Sequence, residues 1–270
     1  MIPVDAEVML EIAPRFSGKK AVAQTVITRE VGQLLAGTLE SFDISTRLRV
    51  AHFLAQTCHE TAGFRTTEEF ATGQAYEGRI DLGNTKPGDG RRFKGRGLLQ
   101  LTGRANYRQF GATLGIDLEN DPELAAEPGT SLRIACVYWR LHKINALCDS
   151  DDLLSVTKAI NGGLNGLDDR RHLTTKAKAA VARLEALQVG GTTPVDPARP
   201  VLRRGSRGEA VAVLQRMLRQ LSFPIAVDGD FGPATELAVV QFQREHDLTA
   251  DGIVIPKTWE SLDGVLRDNG

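Results

Sequence analysis

Residues 52–69 read HFLAQTCHETAGFRTTEE, and the fold turns on this stretch. Leu48, Ala51, Leu54, Ala55 and Cys58 recur at the spacing of one helix face. His59, Glu60 and Thr61 then arrive together, and Gly63 offers a stop. The spacing predicts a helix with Ser45 as N-cap and Glu60 in its last turn. The carboxyl end of a helix carries partial negative charge and opposes a carboxylate there. A carboxyl group opposed or buried in this way holds its proton more readily, which suits a general acid. Glu68 and Glu69 follow within about ten residues. Two carboxylates at one cleft are the minimal equipment for cleaving a glycosidic bond.

Upstream, residues 5–61 read as helical with a break near Pro14–Gly18, and residues 41–45 form a connection. Downstream, seven glycines between Gly73 and Gly97 erase any amphipathic period, so this segment reads as a long functional loop. Leu98–Thr102 (LLQLT) reads as a short strand that presents Gln100 and Thr102 on one side. Helix returns after Gly103, then at residues 131–147, 152–160 and 168–187. Residues 190–200, GGTTPVDPARP, have the composition of a linker.

Residues 201–266 read as a small second domain with a three-helix core. Ser206 and Glu209 have capping-box spacing ahead of Val211, Leu214 and Leu218. The segment VDGDFGPAT at 227–235 is echoed by ADGIVIPKT at 250–258. Each copy is a tight Asp-Gly turn followed by a proline that starts a helix. A tethered domain of this size suits binding better than catalysis.

The 270-residue chain is 41% hydrophobic and 25% charged with a net charge of −1, ordinary for a globular protein and without a global field toward nucleic acid or membrane. No run approaches the roughly 20 apolar residues of a membrane span. Its three cysteines, Cys58, Cys136 and Cys148, sit in helix-like stretches and read as reduced thiols, with Cys58 a core residue and not a nucleophile. The first residues show no signal peptide.

Several separated motifs resemble glycoside hydrolase family 19, most closely its lysozyme-like bacteriophage endolysins. They are residues 55–61 (AQTCHET), Tyr76–Arg79, Leu82–Asn84, residues 93–107 (FKGRGLLQLTGRANY), Ala159–Gly163 and the pair Arg170 and Arg171. The resemblance covers roughly residues 1–190. It implies a mainly α, lysozyme-like catalytic domain with a deep cleft, here 1–189, and an inverting mechanism. It implies Glu60 as general acid, Glu69 or Glu68 as base, and Thr102 as a holder of the attacking water. Tyr76, Gln100, Asn106, Tyr107, Asn161 and Arg170 match positions that contact the sugar. The interval between the glutamates is short, as in the phage enzymes. Residues 201–266 resemble the peptidoglycan-binding domain of cell-wall hydrolases, although Ile255 stands where glycine is usual.

Other readings are weaker. The His-Glu-x-x-His zinc pattern fails because residue 63 is glycine, so His59 and His52 read as structural. The segment GDGRRFKGRG at 88–97 lacks the ending of a phosphate-binding loop. Aromatics are sparse among its basic residues, unlike a nucleic-acid surface, and some of these residues read as holding an anionic or acetylated glycan or pairing with the catalytic carboxylates. The expectation is a monomeric, cofactor-free and metal-free hydrolase of the β-1,4 glycan of peptidoglycan. With no signal peptide, it would accumulate in a host cytoplasm and reach the wall after release through a holin. A chitinase and a non-catalytic wall-binding protein are the alternatives.

Overall fold

The computed structural model describes residues 1–189 and 199–268. Most of the linker expected at 190–200 lies outside them. The chain divides into two compact units, Met1–Glu185 and Ala186–Gly270. Both are helical, and the only β pairing among the described residues is a few isolated bridges.

In the first unit α1 spans Ala6–Ile12, α2 Gly18–Ser41 and α3 Arg47–Glu60. Asp5 caps α1, accepting from the Glu7 and Val8 amides at 3.0 and 3.2 Å. Ala6 of α1 fits directly over Gly32 of α2, where a Cβ would lie 2.3 Å from the Ala6 nitrogen. Thr46, one residue beyond the expected Ser45, caps α3 by accepting from the Arg49 amide at 3.4 Å. Every residue of α3 from Val50 to Cys58 is buried, so this is a central helix and not a surface one. Phe53 meets Trp139 edge to face at 5.2 Å. A helix locked on all sides holds its terminal residue, Glu60, in a fixed place.

Then come α4 (Asp89–Arg92), α5 (Arg104–Leu114), α6 (Pro128–Leu141), α7 (Ile144–Asp149), α8 (Leu153–Asn161) and α9 (Leu167–Val189). The helix expected at 131–147 is two, because Lys143 takes φ +52° and turns the chain between α6 and α7. The strand expected at Leu98–Thr102 does not form. Gly97 at φ +86° and Gln100 at φ +54° make a tight turn instead, closed by paired backbone bonds between Arg96 and Leu101 of 2.7 and 3.1 Å. Leu98, Leu99 and Leu101 are buried beneath it. The three thiols are buried and unbridged. Burial pushes Cys58 and Cys148 up to about 12 and Cys136 higher.

The second unit holds α10 (Glu209–Gln220), α11 (Pro233–Glu245) and α12 (Pro256–Asp268) around Leu214, Leu218, Phe231, Phe242, Trp259 and Leu262. The capping box does not form. Gly208 at φ +107° precedes α10, and the Ser206 hydroxyl accepts from the Arg203 amide at 3.1 Å instead. The sequence repeat has a physical counterpart. Gln215 of α10 accepts from the Asp228 and Gly229 amides at 3.1 and 2.9 Å and donates to Asp228 at 2.8 Å. Gln243 of α11 accepts from the Gly252 amide at 2.9 Å and donates to Asp251 at 3.1 Å. Each Asp-Gly turn is therefore clamped by one buried glutamine amide. Among the described residues no helix is long and apolar enough to cross a membrane.

Candidate active site

The site residues form two groups. The first is built on the carboxyl end of α3. Thr61 is buried, donates to the Thr57 carbonyl at 2.6 Å and accepts from the Phe64 amide at 3.0 Å. This holds the chain through a turn in which Ala62, Gly63 and Phe64 all have positive φ. The Gly63 carbonyl is tied to the Gln24 side chain at 2.7 Å. Glu60 emerges just before the turn and pairs with Arg170 at 2.5 Å, with side-chain exposures of 18% and 2%.

Arg170 is fully committed. It also donates to the Gln56 side-chain oxygen, and from Nε to the Asn165 carbonyl at 3.1 Å. That carbonyl receives the Asn161 side chain at 3.0 Å, so Asn161 is linked to Glu60 through the loop and Arg170. The guanidinium offsets the negative end of the helix dipole, a counter-charge that the local sequence around Glu60 does not reveal. Gln56, one turn before Glu60, escaped the sequence reading. It is fully buried and its Nε2 has no partner among the described residues. The burial of Tyr138, followed by the charge of Glu60, pushes that phenol up, which places Tyr138 in the same neighbourhood. His59 bonds Asp169 at 2.6 Å and packs on Gly166, while His52 is buried against Asp151 at 2.8 Å.

The second group surrounds Gly95. An antiparallel bridge joins Glu68 to Arg96, and adjacent residues on such a segment point to opposite sides. Glu68 turns to Lys94 at 2.9 Å and Arg96 at 3.4 Å and is neutralised there. Glu69 turns the other way. Its carboxylate accepts from the Gly95 amide at 2.7 Å and from the Tyr76 hydroxyl at 3.0 Å. Burial, reinforced by the Glu69 carboxylate, pushes the Tyr76 phenol up, so it stays a donor.

A methyl group placed on Gly95 would lie 2.9 Å from Gln100 Oε1, 3.3 Å from Glu69 Cδ and 3.4 Å from Thr102 Oγ1. A carboxylate, an amide and a hydroxyl thus converge over one glycine. Gln100 is anchored to the Gly97 carbonyl at 3.0 Å, Thr102 to the Gln100 carbonyl at 2.9 Å, and Asn106 to the Thr102 carbonyl at 2.7 Å.

Tyr107 is a correction. It is fully buried, meets Phe93 edge to face, and donates to the Lys94 carbonyl at 2.7 Å while accepting from Arg96 at 3.2 Å. Burial pushes its phenol up to about 12. It supports the loop beneath Glu69 and presents no surface to a sugar. No cluster of three or more His, Cys, Asp or Glu side chains that could hold a metal ion occurs among the described residues.

A lysozyme-like helical scaffold thus fixes one glutamate at a helix end and a second beside a hydroxyl and an amide, the kind of equipment a glycosidase uses. The comparisons with known proteins agree. Residues 30–151 match the class I chitinase model, and residues 207–262 match a peptidoglycan-binding domain model. A family 19 glycosyl hydrolase domain protein of Haemophilus influenzae is 30% identical over 171 residues, covering 52% of this chain and 84% of that protein. Acidic endochitinase Q of Nicotiana tabacum is 29% identical over 143 residues, 45% of this chain and 54% of the enzyme. A bacterial family 19 chitinase of known structure shares the fold, with a TM-score of 0.52 at 19% identity over 66% of this chain and 95% of that one. The chain belongs to glycoside hydrolase family 19. It spans about half the length of the tobacco chitinase it matches.

Proposed function

We propose that the protein hydrolyses the β-1,4 glycan of bacterial peptidoglycan with inversion. Glu60 protonates the leaving oxygen. Glu69 removes a proton from a water held by Thr102 and Gln100, and that water attacks from the opposite face. The observation that carries the reading is the convergence of Glu69, Thr102 and Gln100 over Gly95. Glu69 is preferred to Glu68 as the base because Lys94 and Arg96 already neutralise Glu68. Arg170 orients Glu60, and Tyr76 orients Glu69. No step needs a metal or cofactor.

Peptidoglycan is preferred to chitin because a peptidoglycan-binding unit shares the chain. That unit raises the local concentration of the enzyme at the wall. The catalytic domain is taken as residues 1–189 and the binding domain as 201–266 of a monomer. Lysis of a bacterial host from within is part of the proposal, with folding in the cytoplasm and access to the wall through a membrane pore. Three buried free thiols suit folding in a reducing compartment. The plant relatives, named as chitinases, favour chitin as a second reading.

The test is product analysis of purified sacculi treated with the wild type and with Glu60→Gln. Release of new reducing ends by the wild type alone supports the proposal, and mass spectrometry of the terminal sugar identifies the bond. Activity on chitin oligomers with none on sacculi supports the second reading.

A further inference from the structure

Behind the loop that carries Glu69 lies an open pocket of about 540 Å³ to which neither proposed catalytic glutamate contributes. Five cationic side chains and three carboxylates line it. Two of the cations are matched by acids. Arg104 is held by Asp89 and Glu119, and Arg96 by Glu68 and Glu123. The other three are not matched. Lys86 has no side-chain partner among the described residues, Arg91 meets the neutral amide of Gln74 at 3.3 Å, and Arg92 reaches the Glu119 and Asn120 carbonyls and lies over the Phe93 ring, with no acid on any of the three. Lys86, Arg91 and Arg92 are all exposed.

The pocket is mechanically continuous with the active site. The turn Gln74–Tyr76, whose tyrosine holds Glu69, is seated on α4, which carries Arg91 and Arg92. Gly73 and Gly90 let the two backbones touch, for a Cβ on Gly73 would lie 2.3 Å from the Gly90 oxygen. Glu77 closes the joint, accepting from the Gly88 and Gly90 amides at 2.7 and 2.8 Å. The unmatched cations therefore stand at a fixed offset from Glu69.

We propose that this pocket binds the stem peptide of peptidoglycan, with Lys86 and Arg91 receiving its carboxylates. The inference rests on the peptidoglycan reading above and deepens it. Three features point to a peptide carboxylate and away from a phosphate. Lys86, Arg91 and Arg92 all line the pocket, and the nearby amides of Gly88 and Gly90 are already committed to Glu77. Glu119 and Glu123 share the pocket and would repel a dianion. The mixture of free cations with the well-exposed Glu123 suits a ligand with both carboxylates and an amine, which stem peptides have and chitin lacks.

The experiment compares the full-length wild type with the double variant Lys86→Gln/Arg91→Gln on two substrates. One is peptide-bearing glycan strands from sacculi. The other is the same strands stripped of their peptides by an amidase. The wild type is expected to show a KM roughly fivefold lower on the peptide-bearing strands, the scale of two exposed charge contacts. The variant should lose that preference while its kcat, and its KM on stripped strands, stay unchanged. Arg91→Lys, which keeps the charge, should keep the preference. Screening by salt should erode the wild-type preference. Equal KM values for the wild type on both substrates, or a variant that keeps the preference, would overturn the proposal. A wild type that releases no reducing ends from either substrate would overturn the peptidoglycan reading and this proposal with it.

Discussion

Replacement of Gly95 by alanine separates catalysis from stability. The φ of Gly95 lies outside the left-handed region, so alanine meets no backbone strain. Its methyl group would sit 2.9 Å from Gln100 Oε1, 3.3 Å from Glu69 Cδ and 3.4 Å from Thr102 Oγ1. The 2.9 Å contact is the severe one, and it falls on the free end of a flexible side chain. Gln100 can swing aside at about 0.5–1.5 kcal/mol. Loss of its bond to the Gly97 carbonyl adds about 1 kcal/mol. The stiffer unfolded chain returns about 0.4–1 kcal/mol. The net destabilisation is about 1 kcal/mol, or a fall in Tm of about 2–4 °C. Activity should suffer far more. Gln100 leaves its place, and the Glu69 carboxylate shifts by tenths of an ångström. A catalytic group moved by about 1 Å costs roughly 10²-fold in rate, and the swing of Gln100 is on that scale. Initial rates of reducing-end release from sacculi and a thermal melt on the same sample make the test. Near-wild-type rates in a folded Gly95→Ala protein would refute the assignment of this convergence as the site.

Other perturbations have equally definite outcomes. Arg170→Ala strips Glu60 and Gln56 of their shared partner. It should destabilise the first unit by about 2–4 kcal/mol in urea unfolding, reduced from the fully buried case because Glu60 is 18% exposed. Arg170→Lys should not restore activity, since a single ammonium cannot serve Gln56, Glu60 and the Asn165 carbonyl together. Hydrogen-bonded Arg108, supported by Arg104, holds the Glu119 carboxyl down at about 2 against the opposing effect of burial. A depressed carboxylate stabilises above its unfolded value of about 4.3, and that contribution is lost as pH falls toward about 2. The stability gap between the wild type and Glu119→Gln should be on the order of 2 kcal/mol at neutral pH, after a discount for solvent screening. It should close between about pH 4 and about pH 2, as read by urea unfolding across that range. Gln215→Ala and Gln243→Ala each leave the amide of an Asp-Gly turn without its acceptor. Each should destabilise the second unit by about 1–3 kcal/mol, weakening sacculus pull-down while hydrolysis of soluble strands persists.

The legible parts of the sequence were those set by local periodicity and turn chemistry. The apolar stripe through Leu48, Leu54 and Cys58 placed α3 and put Glu60 at its end, because helix spacing is a local property. The Asp-Gly turns and the prolines at the starts of α11 and α12 were likewise readable. What failed depended on distant parts of the chain. Gln100 takes a left-handed φ inside a run that alternates like a strand, because the buried leucines and the Arg96–Leu101 pairing dictate a turn. The Ser206 capping box lost to a backbone in which Gly208 begins the helix. Tyr107 matched a sugar-contacting position by motif, yet its ring is consumed by the core beside Phe93. Arg170 also matches a sugar-contacting position by motif, yet its side chain is 2% exposed and spent on Glu60, Gln56 and the Asn165 carbonyl. Its pairing with Glu60 joins residues 110 positions apart, which no local pattern predicts, and Gln56 gave no signal beyond its place on the helix.

The measurement that tests the central claim most directly is the anomeric form of the first product. Proton NMR within minutes of mixing the wild type with soluble β-1,4 glycan strands reads it before mutarotation. A general base at Glu69 acting through water predicts the α-anomer as the initial reducing end. An initial β-anomer would mean retention, and would contradict the division of labour between Glu60 and Glu69.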